Sequence, residues 1–471
     1  MDEDTGPTLL VTVDSFRADA IGSHTPTLQS LERSGTVFEN AFAQGNWTPF
    51  SFPSLLGGRP VFSDGPGIGV GAGPTLAETL SKHGVETAGF NAANGFLTEY
   101  WGYDRGFDEF ETFLTHSTPV GRALAAHPTV QAWSLFATQP FRSAWRRLRG
   151  HDTHPVENTS RLRDLEERAT AFLESAEAPF FCWVHFMDTH TPYVPAPAHV
   201  KAASDGEMGT PRILRAHLKA GLGRSVGDRT LADLQTLYSG AARQVDASVG
   251  RLLATLEKRG LRDDTTVIVA GDHGEEFQEH GHLAHYPKLY RELIEVPLIV
   301  DAPGDAVDRV ETPVGLDAVP ATVGDVMGVP TPPGATGESL LPAVRTGEPD
   351  SLAPEPVVSV TVRGESVTQQ PIPRQLDDGE VLVSARTAKW TFVRYAESGR
   401  RELYDRCADP EEQADRWGDD VDAPIDELER AVDRRLETIG GDQGAGEIAG
   451  DTDADDIDDD IETRLEALGY R

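Results

Sequence analysis

The chain is 471 residues long, 38% of them apolar, and its formal net charge is −35. That length supports one large core plus a smaller domain, the apolar share excludes wholesale disorder, and the charge argues against nucleic acid as a partner, because a phosphate backbone repels it. Lysine occurs only at Lys82, Lys201, Lys219, Lys258, Lys288 and Lys389, and an acid-rich, lysine-poor surface is what a salt-filled cytoplasm favours, so the composition reads as halophilic and archaeal.

The two cysteines, Cys182 and Cys407, stand far apart and form no disulfide scaffold. The opening Met1-Asp2-Glu3-Asp4 lacks the basic and apolar regions of a signal peptide. No apolar run is long enough for a transmembrane helix, so the sequence predicts a cytoplasmic enzyme.

In chain order, the apolar run 9–13 predicts a strand with Asp14 at its carboxyl end. A helix is predicted over 27–34, closed by Gly35, and another over 75–82, with His83 and Gly84 behind it. Strands follow over 86–90 and 180–186, then a long amphipathic helix over 231–259 ended by Gly260. It leads into the buried strand 266–270, the stretch Gly271-Asp272-His273-Gly274-Glu275, and a further strand over 296–300. This alternation predicts an α/β fold over 1–335: a large, mostly parallel sheet sandwiched by helices. Residues 330–350 are rich in Pro and Gly and read as a connector. Short strands over 357–362, 381–384 and 390–395, without long helices between them, predict a smaller antiparallel α+β subdomain over 350–435. An acidic linker over 440–460 and a C-terminal helix over 461–471 complete the expected organisation.

Chemistry is concentrated at the strand ends. Packing explains an Asp-His pair there poorly: two polar groups need partners, and a divalent metal is an economical one. Asp14 repeats the arrangement, which points to one site at the rim of an open sheet. Between the two strands lies Asn46-Trp47-Thr48-Pro49-Phe50-Ser51, a hydroxyl-bearing loop that opens a helix. A helix N-terminus favours anions, and a Thr or Ser hydroxyl becomes a nucleophile once a metal lowers its pKa. Two more segments bring imidazoles: His185 to His190 after the third strand, and Glu279 to Lys288 after the Asp-His pair.

Several of these residues have plainer readings. His185 reads as a hydrogen-bonded core histidine, and His280 and His282 as loop residues. Asp188 reads as a support for His190 or as a ligand of a second metal, Arg17 as a substrate contact or a partner of Asp14 or Asp19, and Glu275 as a support for His273. The basic, aromatic stretch at 141–149 reads as a solvated helical face, with a lid for anionic substrate or a membrane surface as the alternative.

Taken together, Val11-Thr12-Val13-Asp14, Trp47-Thr48 through Leu55-Leu56-Gly57-Gly58, Asp188-Thr189-His190-Thr191-Pro192-Tyr193, Asp272-His273-Gly274-Glu275, Val296-Pro297-Leu298-Ile299 and Glu402-Leu403-Tyr404-Asp405 resemble the sulfatase-like branch of the alkaline-phosphatase/sulfatase superfamily. The resemblance implies that Asp14, Asp272 and His273 hold a divalent metal, that Thr48 is the nucleophile and adds its oxygen to the metal, and that His190 and His285 contact the anionic group or protonate the leaving oxygen. Lys288 and Arg17 would add substrate contacts and charge. Formylglycine sulfatases carry Cys or Ser in a Cys/Ser-x-Pro-x-Arg motif, where this chain has Thr48, Phe50 and Phe52; an alternative alignment uses Ser51. Ser15 and His273 also depart from the calcium-type pattern. An imidazole ligand favours zinc or manganese, with calcium or magnesium as the other candidates. The implied activity is hydrolysis of a small anionic ester of a sugar, lipid headgroup or similar alcohol, phosphate or sulfate, through Thr48. The alternatives are a sulfuric ester hydrolase proper, a phospho-group transferase to a sugar or lipid headgroup, and a non-catalytic anion binder.

Overall fold

Strand β1 (Thr8–Val13) is buried at every position, which suits only the interior of a sheet covered on both faces. It is flanked by β6 (Phe180–Phe186) and β7 (Thr266–Gly271), both parallel to it, with Thr12 opposite His185 and Val13 opposite Gly271. On the β6 side follow β4 (Glu86–Asn91) and β5 (Glu109–Glu111); on the β7 side follow β10 (Leu298–Asp301), β2 (Thr36–Phe38) and β11 (Arg309–Val310). Of these eight strands only β10 runs against the rest. Short ladders join β3 (Ala41–Phe42) to β12 (Val314–Gly315) and β8 (Glu276–Phe277) to β9 (Leu283–Ala284). The computed structural model describes residues 6–113, 161–204, 208–220, 226–304, 309–346, 352–363 and 373–439. The basic stretch at 141–149, the acidic linker and the C-terminal helix lie outside them.

Strand alternation divides the core. Leu9, Val11 and Val13 face the helices Pro26–Ser34, Leu162–Ser175 and Asp228–Arg259 through Leu28, Leu165, Val245 and Val249. Leu10 and Ile268 face Thr48–Gly57, Leu76–Lys82, Ala318–Val326 and Leu341–Thr346 through Phe52, Leu80, Val323 and Leu341. Expected boundaries shift for local reasons. The long helix begins at Asp228, and β10 starts at Leu298 because Pro297 has no N–H to give a ladder. Thr75 caps its helix: its hydroxyl accepts from Glu78 N at 3.0 Å, and Glu78 returns a carboxylate to Thr75 N at 2.9 Å.

The C-terminal subdomain is an antiparallel meander of β13 (Val357–Arg363), β14 (Glu380–Arg386), β15 (Trp390–Tyr395) and β16 (Arg401–Asp405). The helix Ile425–Thr438 covers it through Leu428 and Val432. Val360, Val383 and Phe392 of this sheet join the same core cluster as β1. Ser359 donates to Ala43 O at 2.6 Å and Val360 N to Gln44 O at 2.8 Å, which stitches the meander to the chain just before Thr48.

Candidate metal centre

The main sheet delivers its polar residues to one rim. Asp14 N donates to Phe186 O at 2.8 Å and Asp272 N to Val13 O at 3.2 Å, so backbone bonds extending the ladders place both carboxylates. Ser15 sits at φ 54°, a costly conformation for a residue with a Cβ. In that conformation its N–H donates to Asp272 Oδ1 at 3.0 Å and its hydroxyl to Asp14 Oδ1 at 2.9 Å, tying the two carboxylates together.

Thr48 opens the helix Thr48–Gly57, and its hydroxyl donates to Asp14 Oδ2 at 3.1 Å. The first turn offers an anion fewer donors than expected: Pro49 has no N–H, while the N–H groups of Phe50 and Ser51 donate back to Trp47 O at 2.8 and 3.0 Å. Ser51 donates its hydroxyl to Asp272 O at 2.6 Å and so braces the Asp-His loop. Asn94, unanticipated from the sequence, takes part as well. Its Nδ2 lies 2.9 Å from Asp14 Oδ2 and 3.3 Å from Thr48 Oγ1. A turn after β4 holds it: Ala93 has φ 64°, and Asn94 N donates to Asn91 Oδ1 at 3.0 Å. The two asparagines Asn91 and Asn94, flanking Ala92-Ala93 at a strand end, were the available signal.

Four imidazoles surround the carboxylates. His273 Nε2 lies 3.8 Å from Asp14 Oδ1 and 3.7 Å from Asp272 Oδ2. Its Nδ1 faces the Gly274 carbonyl at 2.9 Å; a carbonyl only accepts, so Nδ1 carries the proton and Nε2 is a bare lone pair. His285 packs between His273 and His190, with ring centroids 4.8 and 5.1 Å away. His190 Nδ1 faces Thr191 O at 2.6 Å, which fixes the same tautomer. His185 is the hydrogen-bonded core residue that the sequence suggests, and it also reaches the rim: it, Asp14 and Asp272 have potential ligand atoms within 4.8 Å of one another.

Burial sets the electrostatics. It pushes His190 down to about 4 and His285 to about 3, so both are neutral imidazoles at neutral pH. Burial alone would raise Asp14, but His190, His185 and His273 hold its carboxyl below the usual range. Burial and the neighbouring Asp14 charge push Asp272 well above it. Two carboxylates in one dry site resist joint ionisation unless a cation joins them. His273 Nε2, His185 Nε2 and Asp272 Oδ2 are buried without hydrogen-bond partners among the described residues, and the bare His273 nitrogen beside the Asp272 oxygen is a pair that a cation would take up. This mixed nitrogen and oxygen donor set fits zinc or manganese.

The remaining expected residues turn elsewhere. Arg17 pairs with Asp19 at 2.7 Å and Glu279 at 2.7 Å. Lys288 lies 3.3 Å from Glu402 and bonds the Tyr395 hydroxyl, so its ammonium serves the C-terminal sheet. Asp188 accepts from Gln244 at 2.6 Å on the long helix. Glu275 lies 3.4 Å from His285 Nδ1.

The sequence profile of the family described as Sulfatase matches residues 8–329. The multifunctional alkaline phosphatase superfamily protein PehA of Trinickia caryophylli is 24% identical over 302 residues, covering 57% of this chain and 58% of PehA. Bovine arylsulfatase K is 24% identical over 219 residues, covering 45% of this chain but only 37% of that protein, so these alignments leave much of both relatives unmatched. An ulvan-active sulfatase of Formosa agariphila is 23% identical over 480 residues, covering 93% of this chain and 83% of that protein. Among solved structures, one in complex with its substrate D-glucosamine-2-N,6-O-disulfate superimposes with a TM-score of 0.68 at 17% identity, covering 92% of this chain and 98% of that one. A phosphonate monoester hydrolase from Silicibacter pomeroyi does so with a TM-score of 0.62 at 22% identity, covering 92% and 94%. With two thirds of its length inside the family profile and the carboxylate and imidazole residues converging at the rim of its sheet, the chain belongs to the sulfatase family of the alkaline-phosphatase superfamily.

Proposed function

We propose that this protein is a metal-dependent hydrolase that cleaves a small anionic ester, a phosphate mono- or diester in preference to a sulfate ester, through a covalent intermediate on Thr48. The observation that carries the reading is the Thr48 hydroxyl, buried at a helix start, 3.1 Å from Asp14 and 3.3 Å from Asn94. Asp14, Asp272 and His273 would hold the divalent ion. When bound, it would neutralise charge on the transferring group and favour the alkoxide form of a nearby hydroxyl.

The chain's own residues divide the remaining work. Asp14 accepts a hydrogen bond from the Thr48 hydroxyl in the resting state and orients the oxygen. Asn94 Nδ2 is a donor already beside that oxygen, suited to a charge that grows in the transition state. His190 and His285 rest neutral and buried over the centre; an imidazole in that state takes up the Thr48 proton as its oxygen attacks and then passes it to the leaving alcohol. The preference for phosphate follows from Thr48 itself. Formylglycine is made from Cys or Ser, and Thr48 is neither. Ser51, the other hydroxyl on this turn, is occupied with the Asp272 carbonyl.

The test is a high-salt activity screen of manganese- and zinc-loaded protein with nitrophenyl phosphate, bis-nitrophenyl phosphate and nitrophenyl sulfate, together with mass spectrometry of the peptide spanning Thr48 and Ser51. A phosphate ester as best substrate with both residues unmodified supports the reading. Preference for the sulfate, or a modified residue in that peptide, would overturn it.

A further inference from the structure

His185 is completely buried on β6, directly opposite Thr12 of β1. Trp183 stands two residues earlier on the same strand and therefore on the same face. Its Nε1 donates to Thr12 Oγ1 at 2.9 Å, and Thr12 Oγ1 lies 2.9 Å from His185 Nδ1. The far nitrogen of the ring, Nε2, faces Asp14 Oδ2 across 3.6 Å, just beyond hydrogen-bond range, and has no other hydrogen-bond partner among the described residues, so its link to the carboxylate is electrostatic.

The donors and acceptors give this chain a direction. An indole N–H can only donate, so the Thr12 oxygen is the acceptor there. Thr12 is fully buried, and the other partner of its hydroxyl is His185 Nδ1. A hydroxyl that donates to Nδ1 needs that nitrogen bare, which puts the ring's N–H on Nε2, facing Asp14. Phe52 packs edge-on against the imidazole at 4.9 Å and keeps the ring from turning. His273, held by a carbonyl, has the opposite tautomer and a bare Nε2.

We infer that His185 is a positioning residue and not a metal ligand: the chain from Trp183 through Thr12 presents its Nε2–H to Asp14 Oδ2 and fixes the carboxylate that His273 and Asp272 face from the other side. The two imidazoles beside Asp14 thus do opposite jobs. One offers electrons to a cation, and the other offers a proton to the anion that binds it. The inference rests on the reading of the rim as a metal centre.

Cobalt(II) binding to the apo protein tests it, read as affinity and as the visible ligand-field spectrum, for wild type, His185→Leu, His185→Gln, Thr12→Val and, as a ligand-loss reference, His273→Gln. A Gln amide restores an N–H donor near the Nε2 position but is a poor ligand for cobalt. His185→Leu should bind about 10- to 100-fold more weakly with the wild-type spectrum, as expected for outer-shell partners of a metal site. His185→Gln should recover most of that affinity. Equal losses in both variants with the spectral change of His273→Gln would overturn the inference by making His185 a ligand. If both His185 variants fail to fold, Thr12→Val decides: weaker binding with an unchanged spectrum supports the chain, and wild-type affinity contradicts it. Wild type that binds no cobalt would instead defeat the metal-centre reading itself.

Discussion

Asn94 offers a test of the proposed chemistry at the scale of one side chain. Its Nδ2 touches both Asp14 and the Thr48 hydroxyl, so on the proposed mechanism it is aimed where negative charge develops. Asn94→Ala should lower kcat by about 10²-fold with a smaller change in KM, the usual cost of removing one preorganised donor. An equal rise in KM with kcat intact would make it a ground-state contact only. Asp14, Thr48, Asp272 and His273 were legible in the sequence because each is a polar residue where an apolar strand stops or a helix starts. Asn94 was not, because its place depends on a turn with Ala93 at positive φ and on contacts reaching 46 and 80 residues along the chain. His185 was legible as a hydrogen-bonded core residue, and it is buried and bonded to Thr12, but its closeness to Asp14 was not legible. Its strand neighbours are apolar, and only the register with Thr12 brings its ring to Asp14.

Glu292 shows how burial couples a side chain to pH. Burial first, and then Glu276 and Glu412, push its carboxyl up to about 9. A folded pKa above the unfolded value means stability that is complete below about pH 4.5 and is lost as pH rises through about 9. Glu292→Gln keeps the shape of the neutral form, so its melting temperature should fall less than that of wild type between about pH 6 and about pH 9. Parallel curves would show that Glu292 ionises freely in the folded state.

Elements repeat the same logic of local signal and distant support. The capping box of Thr75 and Glu78 is local, and Thr75→Ala should cost about 1 kcal/mol, read as an earlier urea midpoint with unchanged slope. An unmoved midpoint would mean tertiary packing alone holds that helix. The helix Thr48–Gly57 is the contrary case. It contains Pro49 and Pro53, has every residue buried, and would be a poor helix in isolation. It exists because Phe50, Phe52 and Leu55 are packed into the core, so the position of Thr48 depends on tertiary structure. The strands and long helices were readable from periodicity. The antiparallel direction of β10 was not, since a buried apolar strand reads alike in either direction.

For the molecule as a whole, the two sheets act as one support. The meander touches the chain ahead of Thr48 through Ser359 and Val360, and it grips the segment after His285 through the Lys288 contact with Glu402 and Tyr395. The Lys288 position was expected to face substrate, and only the fold shows the buried carboxylate that claims it. The acidic rim also makes metal a stabilising ligand. Bound at about 100 times its dissociation constant, an ion seen only by the folded state adds about 2.7 kcal/mol. Chelation should therefore lower the melting temperature, with recovery on adding back manganese or zinc. An unchanged melting temperature would show that Asp14 and Asp272 are satisfied without a cation.

The most direct test of the account is the turnover of bis-nitrophenyl phosphate and nitrophenyl phosphate by the metal-loaded protein against its Thr48→Ala variant, with folding checked by circular dichroism. The account predicts a loss of at least about 10³-fold in kcat for the better substrate while the fold is kept. A folded Thr48→Ala protein that keeps substantial activity would contradict it and remove Thr48 from the chemistry.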